Sequence, residues 1–274
     1  MDAKLQRRIQ RYGWDKAAPA YETGWKASLA EGQAELLRRA NARPGERVLD
    51  LACGTGLVSI PLAEAVGRAG RVLATDLSER MVEAVGAAAR RRGLTQLEAL
   101  RADAEEIAAV PDASLDLVTC AFGLMYVPHP ERAMAEALRV LKPSGRVVFA
   151  VWGERSRCGW AEIFPIVDAR VQSAVCPLFF RLGTGACLAR EMVAAGLIGV
   201  ETTRIAVELP YEDDRAALEA AFVGGPVALA YDRFDDATRA VAHADYLASI
   251  APFRGAKGYR IPGEFVIGWG RKPG

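Results

Sequence analysis

Two acids and two glycines, Asp50, Gly54, Gly56 and Asp76, carry the chemistry most legible in this chain. The first three belong to Val48-Leu49-Asp50-Leu51-Ala52-Cys53-Gly54-Thr55-Gly56, a buried-strand run that breaks directly into a glycine turn. Twenty residues past Gly56, a second apolar run, Val72-Leu73-Ala74-Thr75, ends in Asp76. A strand, a glycine turn opening a helix, and an acid at the tip of the next strand form a nucleoside-binding arrangement. The glycines let backbone approach a ligand closely and take torsions that a Cβ would penalise. The acid can accept hydrogen bonds from both ribose hydroxyls.

The spacing excludes two common nucleotide loops. The dinucleotide fingerprint needs a third glycine where this chain has Ser59. No Gly-Lys-Ser/Thr follows the glycines, so a phosphate-cradling Walker loop is absent as well. What remains, Asp50-x-Ala52-x-Gly54-x-Gly56 with Asp76 behind it, resembles motif I of the class I S-adenosylmethionine-dependent methyltransferases. The family usually has glycine where Ala52 stands. The resemblance covers residues 46–152 closely and the flanks more loosely. It is strongest to the small-molecule group that includes the quinone-biosynthesis C-methyltransferases.

That resemblance implies an α/β fold: a Rossmann-like, doubly wound sheet of seven strands, with the last antiparallel between the fifth and sixth. An N-terminal helical cap and helical lid insertions would accompany it, and S-adenosyl-L-methionine would be the cofactor. The backbone from Ala52 to Gly56 would cradle the cofactor's amino-acid end, and Asp50 would face its ammonium directly or through water. Asp76 would take the ribose diol and Leu77 would pack on the adenine. Arg101-Ala102-Asp103-Ala104-Glu105 matches the family's adenine-recognition step, with Asp103 accepting from the exocyclic amine and the Ala104 N–H donating to a ring nitrogen. Asp116 to Phe122 resembles the fourth strand, so backbone near Ala121 would line the cofactor and Phe122 to Tyr126 would approach the transferred methyl. Tyr12 to Tyr21 resembles a flexible cap in which Tyr21 reaches the cofactor's carboxylate. Plainer roles stand beside these: Asp50 or Asp76 as a helix cap, and Trp14, Tyr21 and Trp25 as an apolar anchor.

Methyl transfer is an in-line displacement from a sulfonium, so positioning and water exclusion dominate. A general base is needed only when the acceptor must lose a proton. Tyr126 and His243 are the weak candidates for that task, whereas His129, in Val127-Pro128-His129-Pro130, reads as a cap or loop residue. The acceptor would be a small organic molecule, methylated at C, O or N. In the resembling proteins the stretch 153–190 builds its pocket; Trp160, Phe164, Phe179 and Phe180 suit an apolar or aromatic molecule, and Arg157, Glu162 or Arg181 a polar handle. A quinol-type C-methyltransferase is one alternative, and a non-catalytic S-adenosylmethionine-binding protein is another. Cys158, Cys176 and Cys187 are too far apart in sequence to suggest a metal site.

The elements that must position these residues alternate from 46 to about 152. Strands are predicted at 46–51, 71–76, 96–101, 115–121 and 145–152, with helices at 57–67, 79–92 and 131–141. Beyond them come a helix at 188–196, a strand at 200–209, a helix-rich stretch at 213–250 and a last strand at 264–269. A helix at 26–42 precedes the sheet. The predicted organisation is a helical cap over 1–45, a cofactor-binding core over 46–152, and lid and acceptor-pocket elements with the remaining strands of the same domain over 153–274. Among 274 residues, 35 Lys and Arg balance 34 Asp and Glu, which argues against nucleic acid as a partner. Arg90-Arg91-Arg92 reads as the end of an amphipathic helix. No apolar run reaches the roughly 18–20 residues of a membrane span. Five irregularly spaced cysteines suggest reduced thiols and a cytoplasmic setting. Oligomeric state is left open.

Overall fold

The apolar runs pair into one sheet in a computed structural model that describes residues 2–171, 176 and 178–274. A long helix, α1 (Ala3–Ala40), precedes β1 (Arg47–Leu51), α2 (Ser59–Val66), β2 (Arg71–Asp76), α3 (Glu79–Arg91), β3 (Leu97–Arg101) and β4 (Leu115–Ala121). Next come α4 (Pro130–Val140), β5 (Leu141–Trp152), α5 (Ile163–Asp168), α6 (Cys187–Ala194) and β6 (Ile198–Tyr211). The chain finishes with α7 (Asp214–Leu218), a π-helical turn at Glu219–Val223, α8 (Ala228–Tyr231), α9 (Asp236–Ile250), β7 (Arg254–Gly255) and β8 (Gly258–Arg271).

The strand order is β3-β2-β1-β4-β5-β8-β6. The first five are parallel, and β8 runs antiparallel between β5 and β6, as expected. An eighth strand not anticipated, β7, pairs through two residues with β8. Strand order reverses between β1 and β4, which opens a crevice beyond their carboxyl ends, where ligands of such sheets bind. Leu49, Leu51, Val118, Val147 and Phe149 are buried along the central strands, which accounts for their continuous apolar runs.

Three boundaries differ from expectation. Pairing of β5 begins at Leu141 and resumes at Arg146 after an irregular stretch in which Ser144 has φ 62°. β8 starts at Gly258 rather than 264, because Tyr259 pairs with Tyr211 and Pro262 with Glu208. Polar Arg260 and the Pro262-Gly263 pair hide that extension from an apolar-run reading. The largest difference is α1, which is one 38-residue helix and not a flexible segment leading into a helix at 26. Asp2 caps it by accepting from the backbone N–H of Lys4 and Leu5, and Asn41 closes it in the left-handed region. Pro19 lies inside, at a local cost of about 3 kcal/mol. Burial of Ala17, Trp25, Leu29 and Leu36 against the sheet and the C-terminal helices offsets that cost. Among the described residues, no helix is long and apolar enough to cross a membrane.

Gly56 has φ 95°, and a Cβ there would lie 2.6 Å from Val85 Cγ2 on α3. Its lack of a side chain therefore serves helix packing. Gly56→Ala is expected to destabilise the protein by about 1–3 kcal/mol, with part of the loss restored by Val85→Ala in the same chain. Urea unfolding of both variants checks this, and a single variant of wild-type stability would contradict the packing role.

Candidate active site

At the crevice between β1 and β4 lies a cavity of about 970 Å³, including its open mouth. Ala52 and Gly54 from the turn after β1 line it, with Asp76 and Leu77 from the tip of β2. Asp103 and Ala104 border one end, Ala121 and Tyr126 continue from β4, and α1 contributes Tyr21 from above. A smaller adjoining cavity of about 280 Å³ shares Tyr21, Ala52, Gly54 and Ala121 and reaches Asp50. Gly56 lines neither cavity and faces α3; of the expected cradle, Ala52 to Gly56, the stretch Ala52 to Thr55 borders the cavities.

Asp50 is fully buried and ties three elements together. Its Oδ1 accepts from Thr119 Oγ1 on β4 at 2.7 Å, and its Oδ2 from Ser59 Oγ at the start of α2 at 2.5 Å. The parallel register sets Asp50 beside Thr119, so the sheet itself makes the first contact. Burial pushes the Asp50 carboxyl up to about 6, against the pull of both hydroxyls.

Asp76 is held by two backbone donors. Its Oδ2 accepts from the Gly54 N–H at 3.0 Å and its Oδ1 from the Ser78 N–H at 2.8 Å. These bonds join the glycine turn to the β2 tip and orient the carboxylate along the cavity wall. Burial nevertheless raises it to about 6. Ser78, not Asp76, caps α3: its hydroxyl accepts from the Met81 N–H and donates to Asp15 Oδ1 at 2.6 Å. Ala52, where the family usually has glycine, has φ 50°. Its Cβ lies where Gly123 has none, since a Cβ on Gly123 would meet it at 2.3 Å.

Asp103 is held from both sides. It accepts from the Glu105 N–H at 2.9 Å, and its other oxygen pairs with Arg7 Nε at 2.8 Å. Arg7 also reaches Glu105. Arg7, Asp15 and Gly123 were not legible as site residues: the first two meet their partners across 98 and 63 positions of sequence.

The far end of the cavity is aromatic. Trp14 stands edge-on to Tyr21 at 5.8 Å and to Tyr126 at 5.0 Å between ring centroids. Tyr126 meets Phe179 at 5.4 Å, and Trp152 meets Trp160 at 4.7 Å. Phe164 and Phe180 pack behind Phe179. Burial holds the Tyr126 phenol well above its ordinary value, so it stays protonated at neutral pH and is not a general base. His243 does not reach the cavity: on α9 it stacks on Tyr231, with Nε2 2.9 Å from the phenol oxygen. The expected polar handles are engaged elsewhere, Arg157 with Glu264, Glu162 with Arg155 and Arg181 with Glu191. His129 is the residue before α4 and makes no side-chain cap bond, its Nδ1 lying 3.2 Å from Glu131 Oε1. Residues 172–175 and 177 of the expected acceptor insertion lie outside the described residues. Among the described residues, no three His, Cys, Asp or Glu side chains gather as a metal site would require.

A doubly wound sheet with an antiparallel strand between β5 and β6, and an acid-tipped β2 over the switch-point crevice, defines a Rossmann-like nucleoside-binding architecture. Residues 48–145 match the family model described as a methyltransferase domain. Over that stretch the chain is thus similar to methyltransferases, the quinone-biosynthesis C-methyltransferases among them. It is 35% identical over 130 residues to demethylmenaquinone methyltransferase of Oceanobacillus iheyensis, covering 47% of this chain and 54% of that one. To the ubiquinone/menaquinone biosynthesis C-methyltransferase UbiE of Cupriavidus metallidurans it is 42% identical over 112 residues, 41% of this chain and 45% of the other. The chain spans about half the length of the curated relatives it matches. In fold it is similar to the YcgJ protein of Bacillus subtilis, with a TM-score of 0.63 over 89% of this chain and 99% of that one, at 16% identity.

The raised Asp76 pKa has a measurable sign. Between pH 3.8 and about 6 the folded protein holds a proton that the unfolded chain has released. Stability from this group is therefore present at low pH and lost as pH rises through about 6. In Asp76→Asn, which does not titrate, stability relative to wild type should rise by about 2 kcal/mol from pH 4 to 6 and stay level above 7. Urea unfolding across that range checks it, and a pH-independent difference would contradict it.

Proposed function

We propose that this chain is an S-adenosylmethionine-dependent methyltransferase acting on a small, flat, aromatic acceptor of quinol type. The observation that carries the reading is one continuous cavity with acids at one end and an aromatic chamber at the other. The polar end fits the cofactor. Asp76 presents a carboxylate of fixed orientation to a ribose diol, Asp103 and Ala104 suit an adenine edge, and Leu77 suits its face. Ala52, Gly54 and Ala121 offer backbone beside the smaller cavity, where Asp50 and Tyr21 would serve the ammonium and carboxylate of an amino-acid tail.

S-adenosylmethionine supplies an electrophilic methyl group on a leaving group that needs no protonation. The chain's own contribution is orientation and dryness. Tyr21, Trp14 and Tyr126 wall the junction between the two ends, and α1 covers it from solvent. Arg7, Asp76 and Asp103 are the charged residues that line the cavity, all on the nucleoside side. Among the described residues the aromatic end thus has no carboxylate or imidazole as a base, which favours an acceptor already electron-rich as it binds. Proximity in such a site is worth about 7–11 kcal/mol. The relatives named for demethylmenaquinone and ubiquinone or menaquinone synthesis support a quinone-type acceptor. Residues 1–45 are proposed as the cap and 46–152 as the cofactor-binding core. A net charge of +1 speaks against a nucleic-acid substrate, and unpaired cysteines support a reducing, cytoplasmic setting.

Calorimetry with S-adenosylmethionine should show Asp76→Ala binding at least about 2 kcal/mol more weakly, because charge-assisted hydrogen bonds are lost. Near-wild-type affinity would remove the ribose assignment. Incubation with a methyl-labelled cofactor and a cellular metabolite extract should yield a labelled aromatic product. Binding without any labelled product would favour the non-catalytic alternative.

A further inference from the structure

Two indole N–H groups in the aromatic chamber have no hydrogen-bond partner. Trp25 on α1 is 6% exposed and Trp160, in the turn before α5, is 2% exposed, and both line the cavity. Their rings are 5.6 Å apart, and neither Nε1 meets an acceptor among the described residues. A buried donor left without a partner forfeits its hydration and receives nothing in return. Indole N–H groups that are buried ordinarily find a partner. Two such orphans side by side, in a cavity wall, are better explained by something that binds there than by packing.

The surroundings narrow what that would be. Trp152 stands edge-on to both rings, at 6.1 and 4.7 Å, and offers only a ring face, a weak acceptor. The charged lining residues lie at the nucleoside end, and Arg157, Glu162 and Arg181 are paired elsewhere. Among the described residues the chamber is therefore uncharged, its other polar groups being the Tyr21 and Tyr126 phenols and the Gln10 amide, whose Nε2 is turned to Cys176 Sγ at 3.6 Å. We propose that Trp25 and Trp160 donate their N–H groups to an oxygen of the methyl acceptor and so determine specificity for a phenolic or carbonyl oxygen on an aromatic ring. This rests on the methyltransferase reading and adds to it the residues that select the acceptor. Two neutral donors favour the phenolate form of that oxygen, its proton lost to solvent before the cavity closes over it, and the phenolate is the form in which the ring is nucleophilic.

The test uses the full chain saturated with S-adenosylhomocysteine and two probes of matched shape, 2-naphthol and 2-methylnaphthalene, in equilibrium dialysis. Wild type should bind 2-naphthol about tenfold more tightly or better. Trp25→Phe and Trp160→Phe keep an aromatic ring and remove the donor. Each should cut that preference about threefold and together bring it to parity, leaving affinity for 2-methylnaphthalene and S-adenosylhomocysteine unchanged. In wild-type protein labelled with 15N at its five indoles, the Trp25 and Trp160 N–H resonances should move downfield with 2-naphthol and not with 2-methylnaphthalene. Absence of any preference in wild type, a preference that survives both substitutions, or unmoved indole resonances would overturn the proposal. Failure of wild type to bind S-adenosylhomocysteine would instead bring down the methyltransferase reading beneath it.

Discussion

Everything at the site depends on how the chain leaves β1. It must pass from a buried strand to α2 within a few residues, and it does so with Ala52, Gly54 and Gly56 all at positive φ. Such a turn leaves backbone N–H groups without helix or sheet partners, and one of them, on Gly54, is met by Asp76. The same bond that satisfies the turn fixes the carboxylate of β2. Asp50 performs the complementary task beneath it, joining β1 to β4 and to the first residue of α2. A buried acid normally costs stability, and both have pKa values pushed upward by burial. The fold accepts that cost at the rim of the crevice beyond β1 and β4.

The second constraint comes from the other end of the chain. α1 does not merely cover the crevice. Arg7 pairs with Asp103 and Glu105, Asp15 joins Ser78 at the start of α3, and Tyr21 lies against Gly54. These contacts sit on one helix at intervals of six to eight residues, so a single rigid element addresses three loops of the sheet. Its continuity through Pro19 follows from this anchoring, because breaking it there would give up contacts on both sides of the kink.

The polar and apolar halves of the cavity were legible to different degrees. Asp50, Gly54, Asp76 and Asp103 stand at strand ends whose apolar runs are local and continuous, so their spacing carried to the structure intact. The packing role of Gly56 was not legible, because its neighbour, Val85, comes from another helix. His243 drew attention by its chemistry alone, yet helix phase turns it to Tyr231. Trp152 and Trp160 come from either side of a loop, and their meeting with Trp25 depends on how α1 lies over the sheet.

Sequence by itself determined the alternating architecture, the switch-point loop and the class of nucleoside it suits, because hydrophobic period and turn chemistry act over short spans of chain. Only the tertiary structure decided that the N-terminal segment is one helix, that the aromatic residues form a single chamber, and that histidine is absent from it. Those outcomes rest on contacts between residues tens to hundreds of positions apart, and on helix orientations that no local pattern encodes.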